Sequence, residues 1–291
     1  MKKILITGAN SYIGTSFENY IMKNYPEDYV IDTVDMIDGS WREKDFSEYD
    51  VVFHVAGIAH QKETKENANL YFKVNYELAA EVAEKSKNDG VGQFIFLSSM
   101  SVYGSNTGVI TKDSLLKPKT NYGKSKLMAE EAILKHSSET FCVAVIRPPM
   151  VYGPLCRGNF NSLVSFTNKL PAFPKIYNKR SMIYVDNLSE FVKISIDKKL
   201  CGIFMPQNKV YVCTLDFAKW ISEVQGKKFR KSRLLGLLVR LIMPFVGAAK
   251  KAFGSLVYHN ELEEFGFSYC VAETEESVKK SVVREEKSCE G

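Results

Sequence analysis

The chain lacks a strong surplus of either charge. Its 291 residues carry 39 Lys and Arg against 34 Asp and Glu, a net +5, too balanced for a nucleic-acid binder, whose cations would dominate one face. No CxxC pair and no Cys/His spacing of the zinc type occurs among its six cysteines, at 142, 156, 201, 213, 270 and 289. No secretory hydrophobic segment precedes them, so they read as reduced thiols of a cytoplasmic protein, and no metal is implied. Internal repeats and low-complexity tracts are missing too. With 45% hydrophobic and 25% charged residues, the composition excludes disorder and leaves enough apolar surface for one large core or two modest ones.

What is present is alternation. Lys2 to Thr7, Tyr29 to Asp35, Val51 to Ala56, Gln93 to Ser98 and Phe141 to Arg147 read as short apolar strands. Between them lie helical patterns, one to about Lys23, one through Val74 and Asn75 to Lys87, and one from Tyr122 to His136. Strands this apolar, separated by helices, predict a parallel sheet covered on both faces. After Arg147-Pro148-Pro149 the alternation weakens, and a second lobe is placed there. Its predicted elements are a helix from Asp186 to about Lys198, a strand Gly202 to Met205, and a helix from about Leu215 to Val224 with Thr214 as candidate N-cap. Residues 234–246 are apolar, interrupted by Arg240 and Pro244 and flanked by Lys227, Lys228, Arg230, Lys231, Arg233, Lys250 and Lys251. The run is shorter than the ~20 residues that cross a bilayer. It reads first as a core helix of the second lobe, with membrane contact not expected, and second as a basic amphipathic surface that touches a membrane or a lipid-linked substrate.

Three segments carry chemistry. Tyr122-Gly123-Lys124-Ser125-Lys126 sets a phenol and an ammonium four residues apart, so on a helix they share a face and the cation can lower the phenol's pKa. About twenty residues upstream, Ser98-Ser99 at a strand end can add a hydroxyl. Together these make a proton shuttle between a sugar alcohol and a ketone while hydride moves to or from a nicotinamide. Between the first strand and first helix, Thr7 to Gly14 has the context of a dinucleotide fingerprint: Gly8 permits a tight turn, Gly14 lets the helix pack closely, and the helix N-terminus faces a pyrophosphate. Asp35 ends the second strand, where a carboxylate accepts hydrogen bonds from ribose hydroxyls and repels a 2′-phosphate, favouring NAD; Asp32 competes for the role.

In this order, Thr7 to Gly14, His54-Val55-Ala56-Gly57, Asn75, Ser98 to Gly104, Tyr122 to Lys126, Arg147-Pro148-Pro149 with Val151-Tyr152-Gly153-Pro154, and Arg180 to Leu188, the motifs resemble those of the extended short-chain dehydrogenases that act on nucleotide sugars. The resemblance covers about residues 1–200. It implies an α/β fold, a Rossmann-type doubly wound parallel sheet in a cofactor domain (1–150), with a smaller mixed α/β substrate lobe (151–291) and some strands returning to the main sheet. It also implies Ser99, Tyr122 and Lys126 as catalytic residues. NAD would be bound by Gly8, Asn10, Ser11, Tyr12, Ile13, Gly14, Asp35, Val55, Ala56, Gly57, Asn75, Tyr122, Lys126 and Pro148. A UDP-sugar would meet Ser99, Asn159 and Arg180, with Arg157 and Lys179 nearby and His60 at the cleft mouth. Where the family has a third glycine this chain has Ser11, and where the 4,6-dehydratases place an Asp-Glu pair it has Met100-Ser101. Dehydration is therefore not expected. The leading expectation is a UDP-hexose 4-epimerase; a 4-ketoreductase using NAD(P)H is the runner-up, and a non-catalytic NAD-binding sensor the third reading. A homodimer formed through the helices at 74–87 and 122–136 is a further implication of the resemblance.

Overall fold

The computed structural model describes residues 1–59, 63, 64, 66–156 and 158–282. In chain order the first half gives β1 (Lys2–Thr7), α1 (Tyr12–Asn24), β2 (Tyr29–Val34), β3 (Val51–His54), α2 (Ala68–Phe72), α3 (Leu78–Asn88), β4 (Gln93–Leu97), β5 (Gly108–Ile110), α4 (Asn121–Leu134) and β6 (Cys142–Ile146). The second half gives β7 (Met150–Tyr152), α5 (Asn159–Lys169), β8 (Phe173–Pro174), β9 (Met182–Tyr184), α6 (Val185–Asp197), β10 (Gly202–Phe204) and α7 (Thr214–Val224). It closes with β11 (Lys231–Ser232), α8 (Arg233–Ile242), α9 (Gly247–Phe253), β12 (Leu256–Tyr258) and α10 (Thr274–Ser281).

Six strands form one sheet in the order β10-β6-β4-β3-β1-β2, and every pairing in it is parallel. The strands are apolar because both faces are covered. Along β1 the side chains alternate: Ile4 and Ile6 join Phe17, Ile21, Phe53 and Phe191 on the face covered by α1 and α6. Leu5 joins Val82, Phe94, Phe96 and Ile133 on the opposite face, under α3 and α4. Within α1, Phe17 and Ile21 lie one turn apart and both are buried. Beyond residue 150, β10 rejoins the main sheet beside β6. A separate cluster, including Tyr152, Met182, Tyr184, Phe217, Ile221 and Val278, forms the interior of the later residues.

The structure corrects several expectations. The helix expected through Val74 and Asn75 to Lys87 is interrupted by a π-helical turn over Lys73–Glu77 between α2 and α3. Thr214 is the first residue of α7 rather than its N-cap, because its hydroxyl donates to the Ala252 carbonyl at 2.9 Å. Cys142 and Cys201 are joined in a disulfide with Cα atoms 5.4 Å apart, at the start of β6 and just before β10, so they are not reduced thiols. Residues 234–246 form most of α8 and the turn after it, and they face the core on one side only. Gly236 is buried and Val239 and Met243 pack inward, while Leu234, Leu237, Leu238, Leu241, Ile242, Phe245 and Val246 are exposed.

Candidate active site

The turn after β1 is shaped by a residue without a side chain. Gly8 has φ +110°, and a Cβ there would sit 2.8 Å from the Ala56 backbone. Its N–H and that of Ala9 donate to Val34 O at 3.0 and 3.1 Å, while Val55 and Ala56 N–H donate to Thr7 O at 3.1 and 2.9 Å. The ends of β1, β2 and β3 are thereby drawn together around the N-terminus of α1. Ser11, standing in place of a glycine, serves that helix: its Oγ accepts from Gly14 N at 3.3 Å, satisfying an otherwise free N–H of the first turn. Asn10 takes the left-handed conformation at φ 61°, and Ile13 packs on the core. Tyr12 turns its ring into the later cluster, with its hydroxyl 2.5 Å from where a Gly153 Cβ would be, so for a ligand it offers backbone, not phenol.

Asp35 and Asp32 separate cleanly. Asp32 is mid-strand opposite Leu5 and accepts from Tyr49 Oη at 2.7 Å. Asp35 lies just past β2, exposed, one residue beyond the carbonyl that receives Gly8 and Ala9.

Past β3 the chain is crowded against α4. A Cβ on Gly57 would meet Asn75 Oδ1 at 2.9 Å and Lys126 Nζ at 3.4 Å. Asn75, fully buried in the π-turn, accepts from Ile58 N at 2.8 Å and donates to Ile58 O at 3.1 Å and Ser125 Oγ at 3.1 Å. One side chain therefore fixes both the loop after β3 and helix α4. A wider turn presents side chains at positions a regular helix would rotate away, which is a common use of such turns.

Helix α4 begins under two caps. Thr120 Oγ1 accepts from Gly123 N at 3.1 Å, and the Glu63 carboxylate accepts from Asn121 N and Tyr122 N, both at 3.1 Å. Negative charge is favoured at this end of a helix. Ser99 begins a 3₁₀ turn (Met100–Tyr103), its Oγ accepting from Ser101 N at 3.1 Å, and Pro148 O accepts from Met100 N at 2.9 Å. That turn brings the Ser99 hydroxyl near the Tyr122 phenol. Burial raises the phenol's pKa, the Ser99 hydroxyl lowers it, and Tyr71 adds a smaller upward push.

Lys126 differs from expectation. Its ammonium is buried and donates to Leu97 O at 2.8 Å, 4.6 Å above the Phe96 ring. The downward pull on Tyr122 comes from Ser99, while Lys126 is itself held down to about 8 by burial, partly offset by Glu130. Beneath it His54 is fully buried, stacked on Phe94 and Phe96 and hydrogen-bonded through Nδ1 to Thr7 Oγ1 at 2.7 Å. Burial first, and Lys126 second, lower its pKa to about 3, so it is neutral.

Sequence reasoning missed the floor of this site. Glu130 binds Arg147 through Nε at 3.0 and 3.1 Å and through Nη2 at 2.5 Å, and it also accepts from Ser98 Oγ. Arg147 Nη1 reaches Tyr103 Oη at 2.9 Å, and its carbonyl accepts from Tyr258 Oη at 2.8 Å. A signal was there: Tyr122, Lys126 and Glu130 recur every four residues on one helix face.

Arg180 lies at the junction of residues 212 and 256, its Nη1 donating to Gly254 O at 3.0 Å. Burial alone lowers its pKa. Asn159 opens α5, but its side chain, like Arg157 and His60, lies outside the described residues. Ser99, Tyr122, Lys126, Gly57 and Asn75 are thus brought together, next to the turn at Gly8 and Ala56.

Residues 4–202 match the model of the NAD dependent epimerase/dehydratase family. The chain is similar to the UDP-glucose 4-epimerase of Vibrio cholerae, 29% identical over 87% of this chain and 90% of that one. It is also similar to the N-acetyl-alpha-D-glucosaminyl-diphospho-ditrans,octacis-undecaprenol 4-epimerase of Escherichia coli O157:H7, 27% identical over 78% and 73%. Its fold is like that of a UDP-glucuronic acid 4-epimerase from Bacillus cereus solved with NAD, with a TM-score of 0.73 at 20% identity over 96% of this chain and 94% of that one.

Proposed function

Because this chain belongs to the NAD dependent epimerase/dehydratase family, an enzyme family of nucleotide-sugar epimerases, dehydratases and reductases, we propose that it is an NAD-dependent 4-epimerase of UDP-sugars. The observation that carries the reading is the gathering of Ser99, Tyr122 and Lys126 beside Gly57 and Asn75, at the mouth of a dinucleotide cradle.

The cradle suits NAD. The absence of Cβ at Gly8 and Gly57 leaves backbone open where a methyl group would collide, the first turn of α1 presents N–H groups to a pyrophosphate, and the exposed Asp35 suits ribose hydroxyls. Gly8, Asn10, Ser11, Tyr12, Ile13, Gly14, Val55, Ala56 and Pro148 would line this cradle, with Asn75 fixing its wall. When bound, NAD supplies reversible acceptance of a hydride from sugar C4.

The chain's own residues handle the proton and the pose. Tyr122 Oη, ionised, takes the proton of the C4 hydroxyl as the oxygen becomes a carbonyl, and returns it when the alcohol re-forms. Ser99 donates to the same oxygen. Lys126, four residues on and buried beside Gly57, would hold the nicotinamide ribose and stabilise the ionised phenol once bound ligand draws it from Leu97 O. Epimerisation needs the 4-keto sugar to turn in place before it is reduced from its other face, so the sugar must be held by its diphosphate. Arg180 is a half-buried guanidinium with no carboxylate partner among the described residues, and a phosphate supplies the missing charge. Asn159 would assist from the start of α5. Met100 and Ser101 offer no carboxyl group for eliminating water.

Purified protein mixed with UDP-glucose or UDP-N-acetylglucosamine, without added cofactor, should yield the C4 epimer by proton NMR. No epimer, together with steady NAD(P)H oxidation on a 4-keto sugar, would overturn the reading in favour of a reductase.

A further inference from the structure

Residues 225–259 contain eight Lys and Arg and no Asp or Glu, a segment of +8 in a chain whose total is +5, so that the remainder is net acidic. Within it, the exposed residues 234, 237, 238, 241, 242, 245 and 246 recur at the three-and-four spacing of one helical face, and all are Leu, Ile, Phe or Val. Phe245 is 88% exposed and Leu241 62%. This is the outer face of α8 and the turn after it; the inner face is satisfied by Gly236 against the Lys175 backbone and by Val239 and Met243. The apolar stripe therefore has no partner within the chain among the described residues.

One flank of the stripe is a surface hollow lined by Lys175, Tyr177, Arg233, Gly236, Leu237 and Arg240. Among the described residues, none of its three cations has a carboxylate within ion-pair distance. Lys175 instead lies 5.7 Å over the Tyr177 ring. Apolar side chains rimmed by unpaired cations and a tyrosine match the boundary of an anionic bilayer, where acyl chains meet phosphate. A ten-residue helix is only ~15 Å long, and no helix of the described residues is long and apolar enough to cross a membrane. The geometry therefore permits lying on the surface, not spanning it.

We propose that α8 and the residues to Val246 dock this protein onto the surface of an anionic phospholipid bilayer, with the stripe in the acyl boundary and the hollow formed by Lys175, Arg233 and Arg240 on a lipid phosphate. This takes up the second reading of residues 234–246 against the first, and it does not depend on the 4-epimerase reading, since it concerns binding and not turnover.

The full-length protein is floated with vesicles of phosphatidylglycerol or of phosphatidylcholine. The expected result is at least ~10-fold stronger partition to phosphatidylglycerol, weakened by salt. Leu237→Glu/Leu241→Glu should abolish flotation with an unchanged melting curve, and Arg233→Glu/Arg240→Glu should erase the preference for phosphatidylglycerol. If either variant unfolds, Phe245→Trp replaces it: its fluorescence should shift to the blue on adding phosphatidylglycerol vesicles and not phosphatidylcholine. Absence of both flotation and shift overturns the proposal. So does a sedimentation experiment in which the unaltered protein pairs with a second copy, ignores both lipids, and becomes monomeric in the double Glu variant.

Discussion

Between α4 and β6 the molecule buries charge; along α8 it exposes apolar side chains. Lys126, Glu130 and Arg147 are 4%, 1% and 6% exposed, while Leu237 and Phe245 are 57% and 88% exposed. Each region reverses what solvent prefers. The first is compensated from within, by the Glu130–Arg147 pair and the contacts of Tyr103 and Ser98. The second has no such compensation among the described residues. A region that resolves its own conflict is built to hold something in place, whereas one that leaves it open is built to meet something else.

Substitutions can break or sharpen this contrast. The largest effect belongs to Tyr122→Phe: turnover should fall by ~10³-fold or more, with NAD binding and melting temperature nearly unchanged by fluorescence titration and calorimetry. Next is Glu130→Ala, which strands Arg147 in the interior and should cost about 3–5 kcal/mol in denaturant unfolding. Lys126→Met should abolish turnover yet stabilise the fold. The buried ammonium titrates near 8 in the fold and at 10.5 in a free chain, so its desolvation penalty is fully present below about pH 8 and is relieved as pH rises toward 10.5. The melting advantage of Lys126→Met should accordingly be greatest at neutral pH and vanish near pH 10.5. Smallest is Leu237→Ser, expected within about 0.5 kcal/mol of the parent, against a loss of about 1–3 kcal/mol for the inward Val239→Ser.

The same contrast marks where sequence reading reached. The parallel sheet was legible because each strand is a short apolar run between turn residues, and β1 was bounded to the residue. The placement of Gly8, Gly14, Asp35, Ser99, Tyr122 and Lys126 at strand ends and on the first turns of helices was legible because it follows from spacing along the chain. Which face of α8 points outward was not, since periodicity locates an apolar stripe without saying what it faces; Gly236 turns the helix through contact with Lys175, sixty-one residues earlier. The same holds for Cys142 and Cys201, whose pairing depends on β6 and β10 lying side by side. The π-turn escaped because Asn75 is drawn to Ile58, a tertiary bond that overrides regular helix spacing.

The Cys142–Cys201 link has a consequence for how the chain withstands cutting. The 59-residue stretch it closes contains Leu155, which is 78% exposed and left-handed at φ 59°, an inviting place for a protease. A single cut there leaves both pieces covalently joined, so a nicked molecule keeps its mass on a non-reducing gel and separates into two fragments only after a reductant is added.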